Sequence, residues 1–170
     1  MSAGATPAWT GSRGLLAKGF TLIELLVVMA VLGILAAAIM PLGEALLVAQ
    51  KERDLRAGLW EIRSALDEHK RYANEGWISP GPTGSGYPAS LQQLVQGVDD
   101  GRPNSQGQKV YFLRRIPRDP FADPALPAEA TWRLRSYASP PDNPQPGADV
   151  FDVRSASDAK ALDGTVYATW

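Results

Sequence analysis

Cysteine is absent from this 170-residue chain, and histidine occurs once, as His69. Without cysteine there is no disulfide framework and no thiolate metal site. One histidine cannot form a paired-histidine site, and no nucleophile motif or glycine-rich phosphate loop accompanies it. An enzyme is therefore not supported. Charge of one sign is also lacking: 17 Lys and Arg stand against 18 Asp and Glu, for a net charge of -1. No basic run interleaved with aromatics occurs, which excludes nucleic acid as a partner. Such a length allows one small domain plus an anchor. That domain must be held by its apolar core and, at most, a hard metal ion.

What the chain does have is Lys18 to Gln50, KGFTLIELLVVMAVLGILAAAIMPLGEALLVAQ. From Leu25 to Leu42 it carries no charge, and about 18 apolar residues suffice to cross a hydrocarbon core. Arg13 and Lys18 lie within the first 19 residues and no acid does, so the amino end is expected to stay cytoplasmic and Val48 onward to face out. One carboxylate, Glu24, sits at the edge of the run, where an acid costs about 2.5–3.5 kcal/mol to insert. A secretory signal peptide cut near Ala36-Ala37-Ala38, a plain anchor and a prepilin would each begin this way.

Gly19-Phe20-Thr21-Leu22-Ile23-Glu24 resembles the type IV prepilin cleavage signature: glycine, an aromatic, three mostly apolar residues and a glutamate. Pro41 lies where pilins and pseudopilins commonly carry a proline. The resemblance implies cleavage between Gly19 and Phe20 by a prepilin peptidase, N-methylation of the new Phe20 amine, and retention of the apolar helix. It further implies that Pro41 marks a region able to lose helicity on assembly. Amine and carboxylate are each costly in lipid and far cheaper as a pair. Glu24 is thus expected to act as a register key for a neighbour's Phe20 amine, against the simpler reading that it pairs within its own chain.

Residues 1–19 read as a leader, outside the mature fold. Phe20 to about Asn74 reads as one helix, with a kink or local melting at Met40–Gly43, where Pro41 removes a backbone donor. Beyond Lys51, Leu55, Leu59, Ile62, Leu66, His69 and Ala73 form one apolar stripe that calls for a sheet laid across it. His69 fits the edge of that core. Glu52–Arg56 and Asp67–Arg71 have i,i+4 ion-pair spacing. Asn74-Glu75-Gly76 reads as the stop. Trp77–Pro88 is a loop, and Ala89–Gly97 is a short helix closed by Gly97. Asp99–Gln108 is a turn region. Thr131–Ala138 alternates, with Trp132, Leu134 and Ser136 on one face, and pairs antiparallel with Val150–Ser155.

Val110 to Phe121, VYFLRRIPRDPF, resembles the segment that leads into the sheet of major pseudopilins of type II secretion systems. This chain departs from that pattern in LPAEA before Trp132 and in the long loop PPDNPQPG at 140–147. Those pseudopilins carry calcium in the loop after their last strands. Asp158 and Asp163 match its acidic positions, and oxygen ligands suit calcium.

The expected fold is α+β and type IV pilin-like, a long amino-terminal helix packed on a small antiparallel sheet. The expected organisation is a leader at 1–19, a membrane and filament-core helix at 20–47, its amphipathic continuation at 48–76 and a loop-rich domain at 77–170. The resemblance implies a pseudopilin of a type II secretion system. Its expected partners are copies of itself, other pseudopilins, the prepilin peptidase and methyltransferase, the inner-membrane assembly platform and, before assembly, the lipid bilayer. Its expected place is the bacterial inner membrane, with the second half periplasmic. A type IV pilus subunit or minor pilin, and a membrane-anchored periplasmic binding module, are the alternatives.

Overall fold

The computed structural model describes residues 19–170, apart from the side chains of Ala38, Met40, Pro41 and Leu42. Of the leader expected at 1–19, residues 1–18 lie outside the described residues. One helix, α1, runs from Leu22 to Asn74. Its helical pattern continues through Met40–Gly43, so the expected local melting is not found in the single chain. The chain divides between Leu42 and Gly43 into two compact units, although α1 belongs to both.

In the first unit, the side chains of Leu22 to Leu35 that are large and apolar are all exposed. Among the described residues, no helix is long and apolar enough to cross a membrane. The run Leu25–Leu42 includes the four residues with undescribed side chains.

In the second unit, the stripe predicted on α1 is the floor of the core. Leu55, Leu59, Ile62 and Leu66 are buried together with Leu91, Leu94, Trp132, Val150, Val153 and Tyr167. Gly58 keeps α1 close to the sheet. A Cβ there would sit 3.4 Å from both Pro117 and the Trp132 ring. The helix ends as expected: Gly76 turns to φ 73, and the N–H groups of Gly76 and Trp77 donate to the carbonyls of Ala73 and Tyr72 at 3.1 and 3.0 Å. This is a Schellman closure, which satisfies the last carbonyls of the helix.

Helix α2, Leu91–Gln96, is capped by Ser90, whose side chain accepts from the Gln93 N–H, and is closed at Gly97. Its Leu94 carbonyl accepts from the N–H groups of Phe112 and Leu113. Two short antiparallel sheets follow. Strands β1 (Val98–Asp99) and β2 (Lys109–Val110) bracket what the sequence suggested was only a turn region. Strands β3 (Trp132–Arg135) and β4 (Asp152–Ser155) pair with Trp132 opposite Ser155 and Leu134 opposite Val153. The alternation expected from TWRLRSYA is present, with Trp132 and Ser136 buried and Arg133 and Tyr137 exposed. The fold is the expected α+β arrangement, a long helix followed by small antiparallel sheets.

Candidate assembly site

The amino end of α1 is built by its own sequence. Thr21 precedes the first helical residue, and its Oγ1 accepts from the Glu24 N–H at 3.3 Å. The Thr21 N–H in turn donates to Glu24 Oε2 at 3.4 Å. This reciprocal pair is a capping box, in which Thr and a glutamate three residues on satisfy orphan N–H groups at a helix start. The Thr-x-x-Glu spacing would have revealed it in the sequence. In the single chain, then, Glu24 pairs within its own molecule. Only Oε2 is engaged among the described residues, and Phe20 is exposed.

Behind this end lies an apolar surface with nothing over it. Fifteen large apolar side chains from Phe20 to Leu47 are exposed, and burial of each is worth about 1.5–3 kcal/mol. Of these, Leu46 and Leu47 belong to the second unit, whose other exposed large hydrophobics among the described residues are scattered. Pro41 sits inside α1 at the boundary between the units, and its side chain lies outside the described residues.

The structure does not assemble Asp158 and Asp163 into a metal centre. Both Asp158 oxygens receive the Arg133 guanidinium, at 2.9 Å each. This hydrogen-bonded pair holds the Asp158 carboxyl below its usual pKa. Asp163 Oδ1 closes a turn, accepting from the Thr165 N–H at 2.9 Å and its hydroxyl at 2.6 Å. Those bonds likewise lower its pKa. Among the described residues, no group of three or more His, Cys, Asp or Glu side chains could hold a metal ion. As they stand, the two aspartates do not fit a calcium ion.

What holds the tail instead was not foreseen. Glu52, expected off the stripe, is buried at 7% exposure. Its Oε1 accepts from the Leu162 N–H at 2.7 Å and the Tyr167 hydroxyl at 3.0 Å. Burial, and then this bond, push the Tyr167 phenol up to about 12. Arg63 gathers the Asp152 carboxylate and the carbonyl oxygens of Val153 and Trp170, at 2.8, 2.9 and 3.0 Å. The i,i+4 pairs expected on α1 are not formed. Arg56 lies over the Trp170 ring, and Arg71 pairs with Glu68. Distant partners from the tail took Glu52 and Arg56, while Arg71 took a different local partner three residues away; such local pairs are worth only about 0.2–0.5 kcal/mol.

His69 is fully buried rather than at the core edge. Its Nδ1 bonds the Gly86 carbonyl at 2.9 Å, and its ring packs on Phe112. Burial pushes its pKa down, which fits a neutral core residue. Asp149 is a buried acid with four hydrogen-bond donors around it. It accepts from the hydroxyls of Thr83, Ser85 and Ser136 at 2.7, 2.7 and 2.6 Å, and from the Tyr137 N–H at 3.0 Å. Burial works to raise its pKa, and the four hydrogen bonds outweigh it, bringing it to about 2. This carboxylate ties the loop before α2 to the end of β3.

Residues 16–40 match the family described as prokaryotic N-terminal methylation motif. The chain is similar to type II secretion system core protein G of Pectobacterium carotovorum subsp. carotovorum, 31% identical over 120 residues. That match covers 65% of this chain and 66% of the relative, so the chain spans just under two thirds of that protein's length. No solved structure matches the chain.

Proposed function

We infer that this chain belongs to the type IV pilin-like proteins and is a pseudopilin, a structural subunit of a type II protein secretion system. One observation carries the reading. The methylation motif of residues 16–40 lies at the end of a helix whose apolar half has no partner in its own unit. The role is structural, and the chain is not an enzyme. Before assembly, the apolar half of α1 sits in the bacterial inner membrane, its amino end in the cytoplasm and the second unit in the periplasm. The apolar side chains then pass from lipid to the matching helices of other copies in a periplasmic pseudopilus. Other pseudopilins, the prepilin peptidase and the inner-membrane assembly platform are the partners this sequence of events requires.

The chemistry at the amino end follows from the capping box. Cleavage between Gly19 and Phe20 places an amine one residue before Thr21, and methylation keeps it cationic. A cation at the start of its own helix opposes the helix dipole, whereas the Glu24 carboxylate is favoured there. The amine therefore gains by reaching the Glu24 of a neighbouring helix. Glu24 can hold its own Thr21 N–H through Oε2 and receive the neighbour's amine on Oε1. Neither charge is then left alone in an apolar surround, and one axial offset between helices is selected. Pro41 supplies the place where α1 yields when the helices pack.

The test is Glu24→Gln in the full chain. Glutamine keeps the cap and loses the charge. Mass spectrometry of the mature amino terminus is expected to find a methylated Phe20 in both proteins, while only the unsubstituted chain pellets as filament. A Glu24→Gln protein that pellets normally sinks the charge key. A membrane form that retains residues before Phe20 sinks the pseudopilin reading.

A further inference from the structure

The second unit has a lower rim, set by where cover on α1 begins. Every described side chain from Phe20 to Glu44 is exposed. Ala45, Val48 and Ala49 are the first that are partly covered, and Glu52 is the first that is buried. Their spacing puts all four on one side of the helix, and all four belong to the second unit.

The element held on that side is the hairpin of the tail. Its arms meet where Lys160 pairs with Val166 and where the Ala161 N–H donates to the Thr165 carbonyl at 2.7 Å. At its tip, the Leu162 N–H donates to Glu52 Oε1 at 2.7 Å. A helical side chain leans towards the amino end and covers the turn before its own Cα. The bond to Glu52 therefore sets Leu162 beside the turn of Val48 and Ala49. The Leu162 side chain is nevertheless 57% exposed, and Leu46 and Leu47 are exposed on the other sides of α1.

The uncharged stretch of α1 ends at Leu42. Along the helix axis, Ala45 lies about 4.5 Å further on and Leu47 about 7.5 Å. The headgroup zone of one leaflet is about 5–7.5 Å thick. With the apolar half of α1 in the bilayer, the rim thus begins inside that zone. We propose that the Leu162 hairpin beds in the outer-leaflet headgroups, beside the point where α1 leaves the membrane. Lipid is the occupant because α1 itself holds the bilayer within reach of this rim before any second copy arrives. Charge does not make the contact. Exposed Lys51, Arg53 and Lys160 are set against exposed Glu44, Asp54 and Asp163, and Asp163 also takes Arg56 at 4.0 Å. The contact is apolar, and it fixes the depth of α1 before assembly. It rests on the membrane placement given above and adds to it a lipid contact made by the second unit.

The natural absence of cysteine makes the test clean. Full-length processed protein carrying Leu162→Cys is given a nitroxide label. It is reconstituted, too dilute to pellet, in vesicles of phosphatidylethanolamine and phosphatidylglycerol. Labels at Leu126→Cys, also exposed on the second unit, and at Leu32→Cys in the apolar half are the references. The label at 162 is expected to be several-fold less open to a water-soluble nickel chelate than the label at 126, and more open to oxygen. The same result is expected in neutral phosphatidylcholine. A label at 162 as open to the chelate as the one at 126 overturns the contact, even if it becomes covered later in pelleted filament. An effect confined to the anionic vesicles means that charge holds the rim, which also overturns it. If the nitroxide lowers the melting temperature of the second unit, Leu162→Trp takes its place. Brominated lipid should then quench it well beyond the unsubstituted chain, and equal quenching overturns the contact. If the label at 32 is itself open to the chelate, the membrane placement of α1 falls and takes this contact with it.

Discussion

Helix α1 contains two solutions to one problem. From Leu55 to Leu66 its apolar side chains are covered by Trp132, Val150, Val153 and their neighbours. From Leu22 to Leu35 they are exposed. The backbone is helical in both halves, so helix propensity does not separate them. The difference is in who supplies the cover. An apolar stripe on one side of a helix can be satisfied by a sheet from the same chain. A helix that is apolar all round needs lipid or other helices on every side. The first half is therefore left for lipid or other helices to cover, and the second is covered by its own chain.

The comparison is broken most severely by trimming one side chain from each half. Ile62→Ala should cost about 2–5 kcal/mol of second-unit stability, as for other large-to-small core changes. Leu32→Ala should change that stability by less than about 0.5 kcal/mol, as for exposed positions, while reducing filament yield. Denaturant unfolding in detergent, followed by a tryptophan signal, measures both. Equal losses would show that the first half also holds the second unit together.

Asp149→Asn is the next largest effect. The folded pKa of about 2 lies below the free value of 3.8. Its stabilisation is therefore complete above about pH 4 and is lost as pH falls towards 2, amounting to about 2 kcal/mol. The variant should lose this amount at pH 7 and show a flatter acid limb in melts recorded between pH 5 and 2. Thr21→Val should cost about 0.5–2 kcal/mol of local helix stability, as a lost N-cap does. Hydrogen exchange should then speed up at Leu22–Leu25 while the melting temperature of the second unit stays unchanged. Smallest is Arg133→Ala. Its ion pair with Asp158 is exposed, and such pairs contribute about 0–1 kcal/mol. A calcium chelator should leave the melting temperature of both proteins unchanged, since the aspartates already have partners. A drop on chelation would mean that the tail rearranges around a metal.

Much of this was legible in the residues. The stripe from Leu55 to Leu66, the stop at Gly76, the short helix closed by Gly97 and the pairing of β3 with β4 follow from period and turn chemistry. Those signals are local, and tertiary packing agreed with them. The methylation motif was legible for the same reason, because its information lies within a few consecutive positions. The fates of the charged residues were not legible. Glu52 and Arg56 are local partners by spacing, yet their partners in the fold are Leu162, Tyr167 and Trp170, and Arg63 is taken by Asp152. Asp149 gave no signal either, since its four donors come from two stretches of chain, 83–85 and 136–137, one of them far away in sequence.

The sequence by itself determined the long helix, the change of character near Lys51 and the N-terminal methylation motif, because each depends on neighbours within one or two helical turns. Only the tertiary structure decided which carboxylates are buried and what they hold. That outcome depends on which distant donors the packed core brings within hydrogen-bond reach, and no short stretch of chain encodes it. The two aspartates of the tail show the difference: the resemblance to major pseudopilins implied a cation there, and the folded chain pairs them with an arginine and a threonine.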